Sequence, residues 1–100
     1  MKMYILIKES VPLGLALVAA AHASLAAYLK FQGTPEVEAW LAGPFAKAVC
    51  KVTDEEFERA KSCPDHVVLT ESALSGVEVA LAFKPRDEWP GAFKFFRLYR

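Results

Sequence analysis

The segment GLALVAAAHASLAAYLKF, residues 14–31, contains one histidine and one serine within an almost wholly apolar run. Because an imidazole titrates near neutral pH, His22 is a candidate general acid or base beside a pocket. A histidine on an apolar helix stripe is also typical of a core residue that bonds a nearby backbone group, and both interpretations stay open. Ser24 follows two residues later and points to another side of the helix, so a Ser–His nucleophile pair is not expected.

The two cysteines, Cys50 and Cys63, match neither a CxxC pair nor a zinc site, and His22 and His66 are too few and too scattered to complete one. We therefore expect no metal and no cofactor. Apolar neighbours, as in AKAVCKV, favour buried free thiols in a reducing compartment. A disulfide between the two remains an open alternative.

Length and charge limit the possible functions. One hundred residues predict a single domain, residues 1–100, with one core. A net charge of +0 excludes a protein-wide basic field, so binding of RNA would need a local basic patch.

The run from Val11 to Leu29 carries no formal charge and reaches the length of a membrane span. It follows Lys2 and Lys8 and contains an Ala-His-Ala sequence, which is also compatible with a secretion signal. Alanine dominates the run, however, and the separate strand-like segment MYILI with Glu9 precedes it. We expect a cytoplasmic protein that does not insert into a membrane.

The remaining pattern predicts alternating strands and helices in the order β-α-α-β-α-β-β, followed by an aromatic tail that fits helix or strand. Gly33 is expected to end the first helix, Thr34-Pro35 to cap the second, and Thr53 with Glu56 to form a capping box for the third. The expected fold is α/β, a mixed four-stranded sheet flanked by helices, in which the last two strands are antiparallel. The expected strands are residues 3–7, 46–52, 66–70 and 77–83, and the expected helices are residues 15–31, 35–41 and 53–62.

The first helix is apolar on all sides, which predicts burial on more than one side. One stripe carries large residues, a neighbouring stripe is mixed, and a third is made of alanines. We expect the sheet to cover one face and the small-residue face to admit another helix or a second subunit. The stripes are Leu15, Val18, His22, Leu25 and Leu29; Leu17, Ala21, Ser24, Tyr28 and Phe31; and Ala16, Ala19 or Ala20, Ala23 and Ala27.

Four short motifs carry a resemblance over nearly the whole chain: AAHAS on the first helix, LTESALSG after the third strand, VALAFKP on the fourth, and PGAFKFFRL near the end. Together with the order of elements, they resemble the type II peptidyl-tRNA hydrolase family. That resemblance implies a mixed sheet with helices, commonly a homodimer, and metal-free cleavage of the ester that joins a peptide to tRNA. tRNA is the partner it implies.

The resemblance also implies a site. Glu71, Ser75 and His22 take the catalytic positions, and Lys8, Gly14, Ser72 and Gly76 are the expected substrate-binding residues. In this interpretation Glu71 activates water or orients Ser75. The alternative is that Glu71 is a solvated loop carboxylate and Ser75 a turn residue.

This chain departs from the family at that site. Leu13 and Leu15 stand where the family has lysines, and Ala19 where it has glutamine. Without these cations a phosphate or developing oxyanion must rely on the open start of the helix, on Lys8, or on Lys84 and Arg86.

Three functions follow: a divergent hydrolase, a non-catalytic relative whose apolar helix start binds a partner or small apolar ligand, and an assembly module that uses the alanine face. The tail could stack nucleic-acid bases on its aromatics, or pack these on the core and leave its cations in solvent. Its members are Phe93, Lys94, Phe95, Phe96, Arg97, Tyr99 and Arg100.

Overall fold

The computed structural model describes residues 1–100 and has five strands, three α-helices and two 3-10 helices. The expected order is confirmed, but the strand count was wrong, because the tail adds a fifth strand of two residues. The elements are β1 Met3–Lys8, α1 Leu13–Phe31, α2 Pro35–Ala42, β2 Lys47–Val52, α3 Asp54–Ala60, β3 His66–Glu71, β4 Val77–Phe83 and β5 Arg97–Leu98, with 3-10 helices at Ser72–Leu74 and Gly91–Phe95.

The strands form one mixed sheet in the order β3-β4-β1-β2-β5. β1 and β2 are parallel and joined through α1 and α2, whereas the other neighbouring pairs are antiparallel. The expected antiparallel pairing of the third and fourth strands is confirmed. In this arrangement the C-terminal ends of β1 and β3 lie beside the N-terminal end of β4, at one end of the strands.

A bulge divides β4. Leu69 pairs with Ala80, but the next residue of β3, Thr70, pairs with Glu78, so β4 has one extra residue at this point. Val79 and Ala80 both pack in the apolar layer beneath α1. The bulge thereby lets Glu78 point to the opposite face, where its Oε1 lies 2.6 Å from Lys61 Nζ.

α1 covers one face of the sheet, packing on β3, β4 and β1. Its buried side chains are mostly alanines, which lie against the isoleucines of β1. Because alanine is small, the helix approaches the sheet closely and the larger strand residues fill the layer. The expectation that the small-residue face admits a second helix or subunit was wrong: Ala16, Ala19, Ala23 and Ala27 face the sheet of their own chain.

The other face of the sheet is covered by α3 and the C-terminal aromatic segment. Phe57 of α3 is fully buried there, together with Phe83 of β4. Tyr4 meets Trp89 and Phe93 edge-on, with ring centroids 4.8 and 5.2 Å apart. Phe93 of the tail therefore belongs to the core, Phe96 packs partly against it, and Phe95 stays exposed.

The predicted helix caps are confirmed. Thr34 accepts a hydrogen bond from the amide of Val37, and Pro35 begins α2. Thr53 and Glu56 form both hydrogen bonds of the capping box, and Gly33 has a φ of 86° after α1.

By length and composition, α1 meets the criterion for a membrane-crossing helix, with a mean hydropathy of 1.5 over its best window. Such a helix near the N-terminus is weak evidence of a membrane span, since core helices and signal sequences meet the same criterion. Its packing on the sheet is consistent with a soluble protein.

Candidate functional site

The hairpin tip between β3 and β4 holds four of the predicted site residues. Glu71 accepts a hydrogen bond from the amide of Ala73 at 3.1 Å and so caps the 3-10 helix Ser72–Leu74. Ser75 has a φ of 59° and Gly76 a φ of 77°, and the Gly76 amide bonds the Glu71 carbonyl at 2.9 Å. These contacts give each residue a local role in shaping the turn.

The start of α1 is open. Pro12 precedes the helix without a side-chain cap, and the first turn holds no acidic residue. Gly14 is exposed, and a Cβ added there would meet no atom within 4 Å. Lys8 ends β1 at this edge, but its Nζ lies 4.8 Å from the ring centroid of Phe57, on the face opposite α1.

His22 lies in the middle of α1, on the side that faces away from the sheet. It is exposed, as are its neighbours Val18 and Leu25, so the interpretation as a core histidine was wrong. No hydrogen bond joins His22, Glu71 and Ser75. The three residues do not line any of the five cavities described below, so their joint role in a site stays a prediction.

Lys84 and Arg86 follow the C-terminal end of β4, whereas Glu71 lies beside its N-terminal end. Lys84 Nζ lies 3.4 Å from Asp65 and 3.7 Å from Glu36. Arg86 lies against the Trp89 ring and donates to Cys63 Sγ at 3.5 Å. Neither can stand in for a lysine at the start of α1, because the length of β4 separates them from it.

Both cysteines are free and buried, as predicted. Burial raises the pKa of the Cys50 thiol from 9.0 to about 11, with Lys2 lowering it and Glu56 raising it by smaller amounts. Burial likewise raises the pKa of Cys63. Neutral thiols are poor nucleophiles and poor metal ligands. No group of three or more His, Cys, Asp or Glu side chains is placed to hold a metal ion.

The outward side of α1 is an exposed apolar surface that the sequence analysis did not single out. We call it the α1 ridge, because its members follow one another at intervals of four residues. A helix presents such residues as one continuous ridge. The sequence did carry the signal, as a five-member i, i+4 series. The ridge consists of Leu13, 63% exposed, Leu17, 65%, Ala21, Leu25, 58%, and Leu29, 54%.

Two cavities lie between α1 and β2, because α1 packs on β3, β4 and β1 and leaves β2 uncovered. The first, about 230 Å³, is lined by apolar residues alone: Ile7, Ala16, Leu17, Ala20, Val49 and Tyr99. The second, about 380 Å³, is lined by Ala21, Ser24, Leu25, Tyr28, Trp40, Leu41, Phe45 and Lys47.

A third cavity, about 430 Å³, adjoins the first at the β5 edge and is lined by Lys51, Arg97, Leu98 and Arg100. Two more lie at the far side of the molecule. One is lined by Glu56, Arg59, Cys63 and residues of the aromatic segment. The other is lined by the ion-paired residues around Lys84.

Comparison with known family models and with curated proteins found no match to this chain. The resemblance to the type II peptidyl-tRNA hydrolases therefore stays a proposal.

Proposed function

We propose that this protein is a non-catalytic assembly module that forms a homodimer through the α1 ridge. The single observation that carries the proposal is the exposure of four leucines on one helix. With Val18 they expose on the order of 500 Å² of apolar surface, the upper end of the roughly 300–600 Å² found on typical monomers. Patches of this size are often functional.

The ridge is self-complementary about Ala21. Leu17 and Leu25 stand four residues to either side of Ala21, and Leu13 and Leu29 stand eight. A twofold axis at Ala21 sets Leu17 of one protomer beside Leu25 of the other, as a symmetric interface requires. Two helices that pack such ridges cross at about −50°, and a small central residue lets them approach closely. No Asp, Glu, Lys or Arg lies between Glu9 and Lys30, so no fixed charge opposes the contact.

The expected affinity is modest. Burying half of the ridge of each protomer favours association by on the order of 12 kcal/mol, at about 25 cal/mol per Å² of apolar surface removed from water. Association costs about 4–15 kcal/mol, so the dimer has micromolar affinity at best. Sedimentation equilibrium from about 1 μM to about 1 mM brackets this range.

The test compares the wild type with the double variant Leu17→Gln, Leu25→Gln. The control is Phe95→Gln, which removes an even more exposed apolar side chain away from α1. We expect the wild type and Phe95→Gln to dimerise and the double variant to remain monomeric. An independent check is Ala21→Cys, whose thiol on the axis should form an intermolecular disulfide under oxidation, whereas Ala39→Cys on α2 should not. A wild type that is monomeric at the highest concentration would refute the proposal.

A second candidate is the divergent hydrolase, cytoplasmic and acting on peptidyl-tRNA or a related ester. It is supported by the four motifs and by the common sheet edge of Glu71, Ser75 and the open start of α1. The absence of lysine at Leu13 and Leu15 weakens tRNA binding in this candidate, since phosphate contacts supply most of such affinity.

The hydrolase is tested by assaying cleavage of peptidyl-tRNA at low salt by the wild type, Glu71→Gln, Ser75→Ala and the exposed control Glu88→Gln. The hydrolase candidate requires turnover by the wild type and by Glu88→Gln, and none by Glu71→Gln or Ser75→Ala. Turnover that survives both site substitutions contradicts the site, and a wild type that neither cleaves nor retains tRNA contradicts the activity.

A further inference from the structure

We propose that the groove between α1 and the β2–β5 edge binds a small amphipathic anion, a medium-chain acyl carboxylate. Its tail lies in the 230 Å³ apolar cavity, and its head group lies on the cations at the β5 edge. This site is separate from the proposed dimer contact except that Leu17 borders both.

The tail site is a cavity without a polar side chain in its floor. Ile7 and Val49 form the floor from β1 and β2, and Ala16 and Ala20 form one wall. Small alanines at these positions leave the space that larger residues would fill. At about 230 Å³ the cavity falls below the roughly 300–1,000 Å³ of drug-sized sites, so it suits a short unbranched chain.

Tyr99 connects this cavity to the cationic one. Its ring lines the apolar cavity, whereas the residues on either side of it in the chain, Leu98 and Arg100, line the neighbouring cavity. The Nζ of Lys51 lies 4.6 Å from the centroid of the Tyr99 ring, within the range of a cation–π contact. An anion at the Lys51 ammonium is thus next to the mouth of the apolar cavity.

The charge around the groove selects an anion. Every second residue of β2 points to the α1 side of the sheet. These residues are Lys47, Val49 and Lys51, so both ends of the groove floor are cationic. Arg97 pairs with Lys51 across β2 and β5. The carboxylate next to these cations is Glu9, 3.5 Å from the Arg97 guanidinium, which leaves net positive charge. An amphiphile with one anionic end satisfies both halves of the groove.

The test is titration of the ¹⁵N-labelled protein with octanoate, followed by NMR. We expect saturable shifts of the amides of Leu17, Val49 and Tyr99. Octanol tests the need for the head group and acetate the need for the tail. Each methylene removed from the chain should weaken binding about fourfold, since a buried methylene contributes about 0.8 kcal/mol.

Two variants locate the site. Ala20→Leu fills the cavity and should abolish binding, whereas Ala26→Leu adds the same side chain on α1 outside the cavity and should not. Lys51→Gln with Arg97→Gln should weaken octanoate binding at least tenfold and leave octanol unchanged, with Lys94→Gln as the charge control.

Octanol binding as tight as octanoate, octanoate binding that survives Ala20→Leu in a folded variant, or no saturable shift in the wild type would each overturn the proposal. Circular dichroism on each variant establishes that it is folded. The amides of Val49 and Tyr99 and the variant Ala20→Leu report on the groove and not on the α1 ridge, so the dimer and the ligand site can fail separately.

Discussion

The Cys50 thiol makes the stability of this protein depend on pH in a way that can be calculated. Cys50 is 1% exposed on β2, and its pKa is raised to about 11 chiefly by burial. In the unfolded chain the thiol ionises near its ordinary value of 9.0. Between these two values only the unfolded state loses its proton, so rising pH favours unfolding. The thiol's effect is absent below pH 9 and complete above pH 11.

The size of the effect follows from the shift. At pH 11 the unfolded state is favoured by about 2 kcal/mol relative to pH 8, since one pKa unit corresponds to 1.36 kcal/mol. Other groups titrate in this range, so the quantity to measure is the difference between the wild type and Cys50→Ala. Urea unfolding under reducing conditions, repeated from pH 8 to pH 11, gives this difference.

We expect the difference in free energy of unfolding between the wild type and Cys50→Ala to fall by about 2 kcal/mol from pH 8 to pH 11. The control Val52→Ala, a buried neutral residue on the same strand, should lose the same stability at every pH. A constant difference between wild type and Cys50→Ala from pH 8 to pH 11 would refute the argument that burial shifts this thiol.

Three further substitutions test the packing by urea unfolding at neutral pH. Thr53→Ala removes the side-chain acceptor of the α3 capping box and should cost about 1 kcal/mol; an unchanged midpoint would contradict a stabilising role for the cap. Ala23→Leu should cost about 1–3 kcal/mol by overpacking the layer between α1 and the sheet, while Ala26→Leu costs less. Phe57→Ala should cost about 3–5 kcal/mol by opening a cavity beneath α3, and a loss below 1 kcal/mol would show that the site collapses.

Short-range sequence patterns correctly predicted how the helices begin and end. Both helix caps form as predicted, because the side chains of Thr34 and Thr53 bond amides only three residues away. Such contacts depend on neighbours in the chain and not on the rest of the fold. The same holds for Gly33, whose positive φ follows from the turn it makes after α1.

The orientation of α1 could not be predicted from its sequence. All of its sides are apolar, so hydrophobicity alone does not choose which side meets the sheet. The choice depends on the strand residues opposite it: Ile5 and Ile7 are large, and alanines fit above them. The expected burial of α1 on more than one side was therefore wrong: the leucines on its outward side stay exposed and create the α1 ridge.

The fifth strand and the candidate sites also depended on long-range contacts. β5 exists because the Tyr99 amide bonds the Val49 carbonyl, fifty residues away in the chain. The cationic and apolar cavities meet only because β5 joins that edge. No spacing within the sequence connects Lys51 with Arg97, whereas their pairing in the sheet does.

The bulge in β4 gives this strand a dispensable residue. Removing Val79 would restore uninterrupted alternation: Ala80 would still face α1, and Glu78 would still reach Lys61 on the far side. Removing a residue from β1, whose pairing with both neighbours has no bulge, would instead reverse the faces of every residue beyond it. A one-residue deletion in β4 is therefore tolerated at the bulge, where it removes a single buried side chain and leaves the register of the remaining pairs intact.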